Sequence, residues 1–202
     1  MRIYILRHTD RVHDASFFAP LTKNGLIQAE NLVEYLEDID INKIYCSPFL
    51  RTMQTTYPYS KKHFIKLSLD YAISESKKKE NVTEYAANVT LPLYIAELFN
   101  YDSEYYSSMK TTDIPYPETT EQLIKRITIF LNKIIDNHGD SNDNILFVTH
   151  GGICQNLLHF INKYAEIKPD DKILSYYPMG QLTLIYDTTN PTNSPFIFKR
   201  IN

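Results

Sequence analysis

The chain has 202 residues, 43% hydrophobic and 22% charged, which suits one domain with a substantial core. A formal net charge of -3 offers nucleic acid no general electrostatic hold, so any cationic site has to be local. No run approaches the ~18 apolar residues of a membrane span, and the first apolar run ends at Arg7 without a signal-peptide core, so a cytoplasmic location without membrane partners is the expectation.

The first strand pattern is Arg2–Leu6, followed by a polar stretch from Thr9 to Pro20. Leu21-Thr22-Lys23-Asn24-Gly25 then opens a helix with Thr22 as its N-cap. Leu26, Ala29, Leu32, Val33 and Leu36 recur at helical spacing as its buried stripe. A second strand is expected over Lys43–Cys46, with Ser47 capping the next helix and Pro48 in its first position. A short third strand follows near Ile65–Leu67. From Ser74 to Pro117 the pattern loosens, and this segment reads as a lid-like insertion, about 74–117, within a single domain spanning 1–202. Thr119 and Gln122 have capping-box spacing before the periodic Leu123, Ile127, Phe130, Leu131, Ile134 and Ile135. A fourth strand over Ile145–Thr149 leads into a helix from about Gly152 to Asn162, and Gln181–Tyr186 forms a fifth, with Leu182, Leu184 and Tyr186 on one face. Strands alternating with helices predict an α/β three-layer sandwich with a mostly parallel sheet. Cys46 and Cys154 fall in core segments and read as buried free thiols.

Two histidines end two of these strands. His8 follows Arg7, and His150 precedes Gly151-Gly152. Ligands of open α/β sheets bind beyond the carboxyl ends of strands. Arg51 sits near a helix N-terminus at the same expected edge, where free amides and the macrodipole attract anions. Arginine forks match phosphate oxygens bidentately. Together with Arg11, these residues describe a site for a phosphoryl group.

The ordered motifs resemble those of the histidine phosphatase superfamily, also called phosphoglycerate mutase-like. Arg7-His8-Thr9 is similar to its Arg-His-Gly motif, Leu21 to Ala29 to its Leu-Thr-x-x-Gly-x-x-Gln-Ala helix, Ser47 to Thr55 to its Ser-Pro-x-x-Arg-x-x-Gln-Thr motif, and His150 to its distal histidine. The stretch Arg7-His8-Thr9-Asp10-Arg11 and the helix start at Pro117–Leu123 resemble the branch that includes the Sts-type phosphatases. The resemblance implies a phosphoglycerate mutase-like fold and metal-independent phosphomonoester hydrolysis, with no cofactor. In it His8 would become a phosphohistidine, and Arg7, Arg11, Arg51 and His150 would hold the phosphate. Glu75 would be the proton donor, with Glu80 and Glu84 as alternatives. The partner would be a phosphorylated small molecule or phosphoprotein; oligomeric state is left open, a homodimer included.

Thr9 departs from the motif glycine, adding a branched side chain that could narrow the pocket or strain the turn. It keeps open a catalytically weak or inactive binding or scaffold protein. Phosphoglycerate mutase is a further alternative, against which stands the lack of a Glu-Arg-His-Tyr-type run between Arg51 and Pro117. A zinc site on His8, His13, Asp14 and His150 lacks a recognised spacing. Tyr85, Tyr94, Tyr101, Tyr105 and Tyr106 either cover the site or pack the insertion itself, with the second preferred.

Overall fold

Each short apolar run forms a strand, and each periodic run carries the chain back across the sheet, so the strands of the first three-quarters lie parallel. The computed structural model describes residues 1–190 and 194–201. Its strands are β1 (Arg2–Arg7), β2 (Lys43–Cys46), β3 (Leu67–Leu69), β4 (Asn144–Thr149), β5 (Leu182–Asp187) and β6 (Phe196–Ile201), in the order β3-β2-β4-β1-β5-β6. β1 to β4 pair in parallel, while β5 and β6 join antiparallel beside β1. The sheet is therefore mixed, with a parallel centre.

The helices are α1 (Lys23–Ile39), α2 (Leu50–His63), α3 (Glu84–Ala87), α4 (Leu93–Ala96), α5 (Thr120–His138), α6 (Gly151–Asn162) and α7 (Asp171–Ser175). Alternation along β1 sorts the core into two layers. Ile3 and Ile5 join Leu123, Phe130 and Leu157 of α5 and α6. Tyr4 and Leu6 join Val33, Leu36 and Met53 of α1 and α2. Helices thus cover both faces, as the three-layer reading expects. Both cysteines are buried and free, and burial pushes the Cys46 thiol up to about 12. Among the described residues, no helix is long and apolar enough to cross a membrane.

Local signals hold where their partners are local. Thr22 accepts from the Gly25 amide, and Thr119 with Gln122 closes a reciprocal capping box. Other expectations are corrected. Leu26 is exposed, and Gly25 takes the inward position instead; a Cβ there would come within 1.9 Å of the Asp10 carbonyl oxygen. Ser47 does not cap α2, which starts at Leu50 behind Phe49 with no side-chain cap. Strand β3 begins two residues late, at Leu67, because α2 runs to His63 and ends on Phe64 in the left-handed conformation (φ 56°). The register slips at Ile185, so Tyr186 joins the α5–α6 layer rather than facing with Leu182 and Leu184. β6, which the pattern reading did not anticipate, pairs outside β5.

Residues 74–117 hold only short helical pieces. Part of the segment forms a small third core, in which Val82, Ala86 and Ala87 pack on Phe17 and Phe49.

Candidate active site

Parallel pairing of Leu6 with Val148 and Arg7 with Thr149 brings His8 and His150 to one end of the sheet. The His8 amide donates to the Thr149 carbonyl at 3.0 Å, and the two rings meet edge to face with centroids 5.4 Å apart. Both side chains are buried. His8 Nδ1 lies 2.8 Å from the Thr9 carbonyl oxygen. A carbonyl can only accept, so Nδ1 carries the proton and Nε2 keeps a lone pair. Burial, reinforced by the Arg51 charge, lowers the His8 pKa to about 3, against the opposing effect of the Thr9 bond. Burial and the charges of Arg51 and His8 also hold His150 well below its ordinary value. Both imidazoles are therefore neutral near pH 7. His150 Nε2 is 2.8 Å from Ser47 Oγ, which is what the Ser47 hydroxyl does in place of capping.

Three arginines converge here. Arg51, in the first turn of α2, is fully buried. Its Nη1 donates to Ser16 O at 3.2 Å, and its guanidinium carbon lies 4.6 Å from the Phe49 ring centroid. Burial lowers its pKa to about 10, with Glu75 opposing, so it stays charged. Arg7 Nη1 donates to Tyr177 O at 2.5 Å, and its guanidinium lies against the α6 N-terminus. A Cβ on Gly151 would stand 3.0 Å from Arg7 Cζ, so glycine there admits the cation. Arg11 Nη1 is tied to the carbonyls of Val12 and Asp14 at the cleft wall. Arg7 Nε, Arg51 Nε and His150 Nδ1 are buried without a hydrogen-bond partner among the described residues.

Glu75 completes the cluster. Its Oε1 accepts from the Ser76 amide at 3.0 Å, and its Oε2 lies 3.6 Å from Arg51 Nη2. The same oxygen is 3.4 Å from His150 Nδ1, outside hydrogen-bond geometry and beside a neutral ring. Of the alternative acids, Glu80 lines the outer cleft and Glu84 lines a separate depression beside Phe18. The cleft over Arg7 and Glu75 has a volume of about 360 Å³; neither His8 nor His150 lines it, and they join it through their chain neighbours Arg7 and Gly151, which do.

Thr9 is accommodated away from this cleft. It is fully buried, its φ is not positive, and its hydroxyl donates to Gly25 O at 2.9 Å, while its amide donates to Thr55 Oγ1 at 3.1 Å. The zinc grouping does not assemble. The Asp14 carboxylate accepts from Ser16, and among the described residues no three His, Cys, Asp or Glu side chains are arranged to hold a metal ion. None of Tyr85, Tyr94, Tyr101, Tyr105 or Tyr106 lines the cleft, and the Tyr105 hydroxyl donates to Asp70. The tyrosine that does line it is Tyr176, 5.4 Å from the Arg7 guanidinium. Sequence reading missed Ser47 and Tyr176 as site residues. For Ser47 the signal was its place in the Ser-Pro-x-x-Arg motif; for Tyr176 no local pattern marks it.

The family model described as the histidine phosphatase superfamily (branch 1) matches residues 3–174. No curated protein matches the sequence. Among solved structures, the chain is similar to a tungstate complex of the ecdysone phosphate phosphatase from Bombix mori, with 14% identity, 100% of this chain and 92% of that one covered, and a TM-score of 0.70. It is also similar to a mycobacterial glucosyl-3-phosphoglycerate phosphatase (14% identity, 99% and 96% covered, TM-score 0.61) and to an alpha-ribazole phosphatase from Shigella flexneri (18%, 94% and 92%, TM-score 0.59). At these identities the likeness establishes a shared fold, while the family match spans most of the chain. The protein belongs to the histidine phosphatase superfamily, branch 1, and is a phosphatase of that family.

Proposed function

We propose that the protein hydrolyses phosphomonoesters without a metal, through a phosphohistidine on His8. The observation that carries this reading is the set of orphaned nitrogens, Arg7 Nε, Arg51 Nε and His150 Nδ1, beside a neutral imidazole whose Nε2 is available. Buried polar atoms normally find partners, and these suit the oxygens of a phosphoryl group.

In the proposed first step, His8 Nε2 attacks phosphorus as the ester P–O bond breaks, and protonated Glu75 gives its proton to the leaving alcohol. The Nδ1–H bond to Thr9 O steadies the positive charge the ring acquires. In the second step, water attacks phosphorus, Glu75 takes the proton, and the P–N bond breaks to restore neutral His8. Covalent catalysis divides one hard displacement into two easier ones. Arg7, Arg11, Arg51 and His150 stabilise charge on the equatorial oxygens, so metal charge is unnecessary in this scheme. A positioned acid contributes roughly 10²–10⁴ in rate.

Within the superfamily, the Arg7–Arg11 stretch supports the Sts-type branch, and residues 74–117, which carry Glu75 and Glu80 into the cleft wall, support a lid-like role. A phosphorylated substrate is the partner this site implies. Thr9, the residue that suggested a non-catalytic scaffold, has its hydroxyl bonded to Gly25 and leaves the cleft open. His8→Ala should abolish phosphate release from 4-nitrophenyl phosphate while leaving the fold intact by circular dichroism. Wild-type turnover in that variant would overturn the mechanism.

A further inference from the structure

The cleft walls outside the phosphate cluster are polar and carry several hydrogen-bond acceptors beside the donor Lys78. Gln155 Nε2 donates to the backbone carbonyls of Leu174 at 3.1 Å and Ser175 at 2.5 Å, and Asn156 Nδ2 donates to Gly152 O at 2.7 Å. Carbonyls cannot donate, so the orientation of both amides is fixed by chemistry. Each residue lines the cleft with its side-chain oxygen unpaired among the described residues. The Glu80 carboxylate adds a further acceptor to the same lining and Lys78 adds donors, while Ala15 and the ring face of Tyr176 are its apolar surfaces. An apolar leaving group would bury these acceptors without replacing their water. A hydroxyl-rich one would satisfy them, and about 360 Å³ admits a phosphate with one sugar-sized body.

Resting on the phosphatase reading above, we infer that the substrate is a small polyhydroxylated phosphomonoester, a sugar or polyol phosphate. The test compares kcat/KM for hexose 6-phosphates, pentose 5-phosphates and glycerol phosphate with cyclohexylmethyl phosphate and a phosphotyrosyl peptide, each with wild type and His8→Ala. The best sugar or polyol phosphate should exceed cyclohexylmethyl phosphate by about tenfold or more, and Asn156→Leu should shrink that ratio severalfold. Should wild type turn over cyclohexylmethyl phosphate or the peptide as well as every polyol ester, with His8→Ala inactive, the polyol inference fails and the phosphatase reading stands. Turnover that survives His8→Ala removes both.

A second, independent cluster lies behind Glu75. Arg126 of α5 and Glu118 are both buried and joined by two bonds of 2.6 and 2.9 Å. Arg126 also donates to the carbonyls of Ala72 at 2.6 Å, Ser74 at 3.1 Å and Glu75 at 3.3 Å. Glu118 accepts from the Lys77 amide at 3.1 Å and donates its own amide to Lys77 O at 2.9 Å. The pair therefore grips the backbone on both sides of Glu75. A buried ion pair is weak as a stabiliser, and this one spends its bonds on one short loop.

The geometry points to Glu118 and Arg126 as positioning residues that aim the Glu75 carboxylate. A misplaced acid slows the first step only for substrates whose leaving group needs a proton, and kcat/KM reads that step alone, since the Glu75-assisted attack of water comes after it. In Arg126→Lys and in the milder Glu118→Gln, kcat/KM for an alkyl phosphate should fall at least about tenfold, and that for 4-nitrophenyl phosphate less than threefold, matching the pattern of Glu75→Gln. Equal losses on both substrates, or none on either, in whichever variant melts cooperatively would overturn the assignment.

Discussion

Burial decides the protonation of both histidines. An imidazolium sealed beside Arg51 would lack water and face a like charge, so His8 and His150 stay neutral. In the unfolded chain both return to a pKa of about 6.5. Between pH 6.5 and about 3 the unfolded state therefore binds protons that folded His8 refuses, and the stability tied to neutral imidazole, whole above pH 6.5, drains away as pH falls. Thermal midpoints measured from pH 7 to pH 4 should decline, and the slope should be shallower in His8→Asn than in wild type. Parallel slopes would contradict the burial argument. The nucleophile also does not set the acid limb of activity, since His8 remains unprotonated down to about pH 3.

At the scale of elements, the turn from β4 into α6 ties backbone geometry to phosphate affinity. Gly151 lets the Arg7 guanidinium rest on the helix N-terminus. Gly151→Ala should displace that flexible cation rather than unfold the helix, raising KM about tenfold with a small change in melting temperature; an unchanged KM would show that the contact is idle. Elements were legible in sequence to the degree that their determinants were local. The Thr22 and Thr119 caps close on amides three residues away, so spacing alone reveals them. Ser47 looks like the same kind of cap, yet its hydroxyl bonds a ring 103 residues later in the chain. The Ile185 irregularity likewise reflects how β5 fits between β1 and β6, which the alternation of Leu182, Leu184 and Tyr186 cannot express.

For the whole molecule, strand order converts distant motifs into one site. β1 and β4 are adjacent, so His8 and His150 meet, and β2 on the other side of β4 brings in Ser47 and Arg51. The sequence by itself determined the alternation of strands and helices and the placing of His8, His150 and Arg51 at strand ends or helix starts, because hydrophobic period and motif spacing are written locally. Only the tertiary structure decided which amides face the cleft, that Thr9 turns toward Gly25, that Tyr176 rather than the tyrosines of the 74–117 segment lines the site, and that Arg126 grips the Glu75 loop. Those choices depend on contacts between residues tens of positions apart, whose energies exist only once the sheet has closed around them.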